Sequence, residues 1–274
     1  GMQSIGTQAF HSCTKLTTIT LPSSVATLGD ACFYKCTSLV SVSLSTSLSI
    51  IPDQSFAYCL SLQTVTVPDQ VTSIGISAFY MASDMEEVTI GKSVARVSLY
   101  AFRYNGKLKQ LIIRAPTIVF EPYSLQNCTS LVDGAQVILS KNATSINGMP
   151  SEISMFKCFN DKCVCDAGFG SALAPSDPLY DDYFNCVPCP VGYISVASQG
   201  ACTRCTAGTY SDTSGSSQCI DCPRGKYGLP GSDIERDSEE SSCMACEEGK
   251  YAAAAGTTVC DNCPPGNFCN ETGL

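Results

Sequence analysis

Phenylalanine recurs every 23 residues, at Phe10, Phe33, Phe56, Phe79 and Phe102, with Leu125 at the next step. Other apolar columns keep the same interval. One runs through Leu16, Leu39, Leu62, Met85, Leu108 and Leu131, and another through Ile5, Leu28, Ile51, Ile74, Val97 and Phe120. Two more run through Ile19, Val42, Val65, Val88 and Leu111, and through Leu21, Leu44, Val67, Ile90 and Ile113. A fixed period of this length makes the chain a stack of similar small units, none of which can bury its apolar side alone. Within each unit, Leu16-x-x-Ile19-x-Leu21 alternates like a short strand with Ile19 and Leu21 facing inward. Stacking the units gives a parallel sheet over one continuous core, roughly 30 Å long at ~4.8 Å per strand.

The pattern Ser4-Ile5-Gly6-x-x-Ala9-Phe10-x-x-Cys13-x-x-Leu16-x-x-Ile19-x-Leu21-Pro22 resembles the BspA-like class of leucine-rich repeats over residues 1–139. The resemblance implies a curved solenoid with the parallel sheet on its concave face and short turns or 3-10 segments on its convex face. It also implies a microbial or protist surface protein associated with adhesion. In the sixth turn Gly134 and Gln136 fall in the inward columns, so Val137 and Leu139 are expected to replace them after a three-residue insertion.

Three features of the repeat invite a chemical reading. Cys13, Cys36, Cys59 and Cys128 share a column that Ala82 and Asn105 also occupy, and Cys32 lies in the Ala9 column. Interchange with small residues points to packing rather than a redox or metal site. His11, the only histidine, precedes Ser12 and Cys13, but its column also holds Tyr34, Ala57, Tyr80, Arg103 and Gln126. That variability marks an exposed convex position, and no second base of that type exists to complete a nucleophilic site. The neighbouring carboxylates Glu86/Glu87, Asp181/Asp182, Glu239/Glu240 and Glu247/Glu248 read as solvated charge. No catalytic function, cofactor or metal is expected.

The second half is organised by sulfur. Of 19 cysteines, 14 lie between Cys158 and Cys269. Such density means disulfides in an oxidising compartment or metal ligands in a reducing one. Five C-x-x-C pairs follow one another: Cys186/Cys189, Cys202/Cys205, Cys219/Cys222, Cys243/Cys246 and Cys260/Cys263. The spacing alone also suits zinc ribbons. Against zinc, the pairs show no division into four-ligand groups. Nearly every second cysteine is followed by x-x-Gly and an aromatic, as in Cys189-x-x-Gly192-Tyr193 and Cys222-x-x-Gly225-x-Tyr227. These residues resemble tandem ephrin-receptor-like modules, in the style of tumour-necrosis-factor-receptor repeats, over about 186–269. Cys163-x-Cys165-x-x-Gly168-Phe169 resembles the end of an EGF-like module, giving a fragment over 158–186 after a cap or linker at 140–157. These resemblances imply Cys165–Cys186, Cys189–Cys202, Cys205–Cys219, Cys222–Cys243 and Cys246–Cys260. They leave Cys158, Cys163, Cys263 and Cys269 unassigned. The whole region reads as small, disulfide-rich, mostly irregular or β, and elongated.

Binding is expected on the concave face, where register places Thr18, Thr20, Ser41, Ser43, Thr64, Thr66, Glu87, Thr89, Gln110 and Ile112. β-propensity by itself also accounts for threonine there. A net charge of −9 disfavours nucleic acid and anionic lipid. Sequons at Asn127, Asn142 and Asn270 agree with secretion and glycosylation. No apolar run approaches the ~18 residues of a membrane span, and no signal peptide is visible. The chain reads as a fragment, tied to a membrane only through an anchor outside it. The expectation is an extracellular ectodomain, with the solenoid as head for a protein or glycan on another cell or matrix and the cysteine-rich part as spacer. A coat or stalk protein without a specific ligand is the alternative. Ice binding by the threonine columns is a remote third, since Glu87, Gln110 and Ile112 break the array.

Overall fold

A computed structural model describes residues 1–132, 136–150, 156–159, 162–170, 183–196, 201–231 and 234–265. By its internal contacts the chain divides into two units, Gly1–Cys163 with Leu173–Asn185, and Val164–Ala172 with Cys186–Leu274.

The first unit is the solenoid. Strands Thr18–Thr20, Ser41–Ser43, Thr64–Thr66, Glu87–Ile90, Gln110–Ile113 and Gln136–Ser140 pair in parallel, each with the next turn's. In the sixth turn Val137 lies opposite Leu111 and Leu139 opposite Ile113, so the inserted residues restore the inward columns. A second parallel sheet joins Ile50–Ile51, Ser73–Ile74, Arg96–Val97, Thr117–Phe120 and Ser145–Asn147. The sequence reading anticipated only one sheet, because two-residue strands are too short to show an alternating pattern. This second sheet also carries the solenoid to Asn147, into the segment read as a cap or linker. The larger sheet ends on Tyr183–Asn185, which pairs antiparallel with Gln136–Ser140 and covers an otherwise open edge. That strand comes from the segment read as an EGF-like fragment, and the division between the two units runs through the same segment.

The third side consists of tight turns. Gln8, Ala31, Gln54, Ser77, Tyr100 and Tyr123 form one column of left-handed residues, and Ser12, Lys35, Tyr58, Met81, Tyr104 and Asn127 form another. Each such non-glycine residue costs on the order of 1 kcal/mol. The return is a ladder of amides that donate to carbonyls one turn on, such as Phe33 N to Ser55 O at 2.8 Å and Tyr58 N to Tyr80 O at 2.8 Å. Between the three sides the phenylalanines stack face to face, Phe10 to Phe102, with centroids 5.0–5.3 Å apart. Phe33, Phe56, Phe79 and Phe102 are fully buried.

The second unit is a series of two-stranded antiparallel hairpins: Phe169–Gly170 with Val187–Pro188, Tyr193–Ile194 with Thr203–Arg204, Thr209–Tyr210 with Ile220–Asp221, Lys226–Gly228 with Cys243–Ala245, and Lys250–Tyr251 with Asp261–Asn262. The glycine of each C-x-x-G step, Gly168, Gly192, Gly208, Gly225 and Gly249, has φ between 80° and 88°. Side chains avoid that conformation, which is why glycine recurs there. Each of these glycine carbonyls accepts the amide of a cysteine from the next pair, as in Cys205 N to Gly192 O at 2.9 Å and Cys246 N to Gly225 O at 2.9 Å.

Candidate functional site

The outward positions of the larger sheet form two rows of side chains. Thr18, Ser41, Thr64, Glu87 and Gln110 make one row, with Ser41 opposite Thr64 and Glu87 opposite Gln110. In the other row Thr20 lies opposite Ser43, and Thr66, Thr89, Ile112 and Ile138 lie side by side. The hydroxyls of the first three turns, Thr18 through Thr66, are exposed, whereas Glu87, Thr89 and Gln110 are half-buried. Ile112 is only 8% exposed, beside the equally covered Ile138. It belongs to the expected face but offers a ligand almost no surface, so the accessible part of the face lies toward the N-terminal turns.

A cleft of about 710 Å³ opens there, lined by Ser43, Thr64, Thr66, Asp69 and Arg114 among others. Arg114 follows the strand Gln110–Ile113 and pairs with Asp69 through its two terminal nitrogens, Nη1 and Nη2, at 3.1 and 3.2 Å. The two residues are 45 positions apart in sequence. Glycine at 91 occupies the intervening turn at the position equivalent to Arg114, and a Cβ there would sit 2.4 Å from Pro68 O. The glycine thus lets this turn lie close against the backbone of the turn before it. Asp69 is further fixed by the amide of Lys92 at 3.1 Å. The cleft therefore combines a row of hydroxyls with one carboxylate and one guanidinium held in place. Asp69 and Arg114 escaped the sequence reading because each occupies a variable column and the two are 45 residues apart.

The cysteine column is structural. Cys36, Cys59 and Cys128 are buried, and each thiol donates to the carbonyl of a phenylalanine in the preceding turn: Phe10, Phe33 and Phe102, at 3.1–3.2 Å. Cys13, at the open end, is half-buried. Burial pushes the Cys32 and Cys128 thiols up to about 12, and Cys59 also rises, so none of these three is a ready nucleophile. His11 Nδ1 lies 2.9 Å from Ser12 Oγ, and its ring stacks on Tyr34. Glu86 pairs with Lys109, Glu239 with Lys226, and Glu247 with Lys250. Asp181 and Asp182 lie outside the described residues.

Disulfides join Cys165–Cys186, Cys189–Cys202, Cys205–Cys219, Cys222–Cys243 and Cys246–Cys260, the same five pairs that the resemblance implies. Zinc would need these sulfurs as thiolates. Cys263 is also disulfide-bonded. Asn127 and Asn142 are exposed, and Asn270 and Cys269 lie outside the described residues. Among the described residues no helix is long and apolar enough to cross a membrane.

A family model for the BspA type leucine rich repeat region matches residues 2–148 in six copies. The chain belongs to the BspA type leucine-rich-repeat family. A second model, tyrosine-protein kinase ephrin type A/B receptor-like, matches residues 192–230. Neither is an enzyme family. The BspA-type solenoid is similar to a leucine-rich-repeat protein of T. pallidum, with 24% identity, a TM-score of 0.45, and coverage of 54% of this chain and 64% of that one. It is also similar to a leucine-rich cell surface protein of Faecalibacterium prausnitzii, with 24% identity, a TM-score of 0.38, and coverage of 56% and 31%. Among curated proteins, mouse thyroglobulin is 53% identical over 45 residues and rat thyroglobulin 53% identical over 63, or 16% and 23% of this chain. The chain spans 2% of the length of each. Leucine-rich-repeat domains generally mediate protein interactions, and the BspA-type solenoid offers an extended sheet face of the kind such interactions use.

Proposed function

We propose that the chain is the extracellular recognition or adhesion part of a surface protein, with the solenoid as ligand-binding head and the cysteine-rich modules as spacer. It has no catalytic role. The observation that supports this reading is the cleft on the hydroxyl face, where Ser43, Thr64 and Thr66 stand beside the fixed Asp69–Arg114 pair. Hydroxyls with one carboxylate and one guanidinium suit hydrogen-bonded recognition of a polar protein loop or a glycan. The five disulfides support an oxidising, extracellular setting. The test is a cell-binding and glycan-array screen of the intact chain beside a Thr64→Ala/Thr66→Ala/Arg114→Gln variant. Saturable binding that the variant weakens about tenfold, the equivalent of ~1.4 kcal/mol, is expected. An intact chain that binds nothing in either screen and instead self-associates in sedimentation overturns the reading in favour of a coat protein.

A further inference from the structure

All six tyrosines of residues 1–139 are in the turn side of the solenoid, and they are arranged in order. Tyr34, Tyr58, Tyr80 and Tyr104 belong to four successive turns and alternate between two adjacent columns. Their ring centroids are 5.4, 5.4 and 5.7 Å apart, at interplanar angles of 65°, 58° and 86°. His11 extends the series at one end, stacked on Tyr34 at 5.1 Å. At the other end Arg103 lies over both Tyr104 and Tyr100, at 4.7 and 4.9 Å, and Tyr100 stacks on Tyr123 at 5.8 Å. The result is a continuous herringbone of rings along the stack, outside the core.

Three observations set this stripe apart from ordinary surface packing. First, the backbone works against it. Tyr58, Tyr100, Tyr104 and Tyr123 all have φ between 59° and 65°. Bulky residues are the least suited to that conformation, where glycine or asparagine would cost less. Second, the stripe is in part accessible: Tyr104 is 39% exposed and Tyr123 56%, while Tyr34, Tyr58, Tyr80 and Tyr100 are half-buried. Third, the stripe holds two cations in a chain whose net charge is −9. Lys35 Nζ sits 5.4 and 5.8 Å from the Tyr34 and Tyr58 rings. Arg103 is sandwiched as above, with its buried Nε lacking any hydrogen-bond partner. Among the described residues neither cation has a carboxylate partner, whereas Lys107, Lys109 and Arg96 each have one.

We infer that this tyrosine stripe is a second docking surface, and that its occupant is an extended acidic polysaccharide. Flat aromatic faces suit the C–H faces of pyranose rings, and the two cations supply partners for uronate or sulfate groups. Rings of one column, Tyr34 with Tyr80 and Tyr58 with Tyr104, repeat every second turn, about 9.6 Å along the stack. That is close to one disaccharide of an extended chain. A proline-rich peptide, with a helical repeat of about 9.3 Å, would match the period as well. It gives the cations nothing to neutralise, and such peptides dock into grooves rather than onto an open stripe.

The inference stands apart from the cleft on the hydroxyl face, and the experiment separates the two. The chain has no tryptophan, and six of its 12 tyrosines are in the stripe, so a fluorescence change that the Tyr58→Ala/Tyr104→Ala variant loses reports on it. The intact protein is titrated with hyaluronan oligosaccharides, heparin, neutral dextran and decaproline, following fluorescence and heat. The expected result is binding of hyaluronan or heparin that weakens with salt, and none of dextran. Tyr58→Ala/Tyr104→Ala and Lys35→Gln/Arg103→Gln should each weaken it about tenfold. Tyr58→Phe/Tyr104→Phe, which keeps the rings, and the Thr64→Ala/Thr66→Ala/Arg114→Gln variant should leave it unchanged. Thermal midpoints within the error of the parent show that each variant is folded. Failure of both acidic polymers to bind overturns the inference. So does binding confined to dextran or decaproline, or binding that ignores the ring deletions but is lost with the hydroxyl-face variant.

Discussion

Asn105 shows how closely each position of the repeat is specified. It occupies the column in which Cys36, Cys59 and Cys128 each give a thiol hydrogen to a phenylalanine carbonyl of the preceding turn. Asn105 does not repeat that bond. Its Nδ2 instead faces Met85 Sδ at 3.7 Å, and its Oδ1 is buried without a partner. A buried unsatisfied amide oxygen costs on the order of 1–3 kcal/mol. Asn105→Cys is therefore expected to stabilise the solenoid by about 1 kcal/mol, read as a higher urea midpoint at unchanged slope. An unchanged or lower midpoint would show that the thiol bond adds nothing in this turn.

At the scale of the turn, the apolar columns and the longer strand were readable because both have a period that side chains report. The second sheet and the left-handed columns were not. Two-residue strands carry no alternation, and positions such as Gln54, Ser77 and Tyr58 bear no glycine to betray a positive φ. The close stacking of successive turns depends on the same kind of hidden geometry. Gly91 is flush against the carbonyls of Val67 and Pro68, so an added methyl has to displace backbone rather than a flexible side chain. Gly91→Ala is expected to destabilise the solenoid by about 1–3 kcal/mol. A thermal midpoint equal to the parent's would mean that the turn can shift at no cost, and the close approach would then explain nothing.

For the molecule as a whole, the two units draw stability from different sources. The solenoid buries a continuous apolar core and has free cysteines at Cys13, Cys32, Cys36, Cys59 and Cys128. The second unit has a buried cluster as small as Tyr210, Cys222 and Cys243, and relies on cross-links closing loops of 13 to 21 residues. Each such cross-link contributes on the order of 3 kcal/mol by restricting the unfolded chain. Reduction with dithiothreitol is thus expected to abolish hydrogen-exchange protection across 201–265 while leaving 16–113 protected, as read by peptide mass spectrometry. Loss of protection in both units together would show that the solenoid does not stand on its own core.

The sequence by itself determined that the first half is a stack of 23-residue turns with a single core, and that the second half is built on cysteine pairs with glycine turns. Both follow from residue types whose burial, oxidation or backbone freedom has a fixed period along the chain. Only the tertiary structure decided which outward residues meet. Arg114 reaches Asp69 across two turns, Ile112 is covered although it lies in an outward row, and tyrosines from three columns form one stripe. Those contacts join residues roughly one or two turns apart, and their geometry comes from how the turns stack, which no local pattern records.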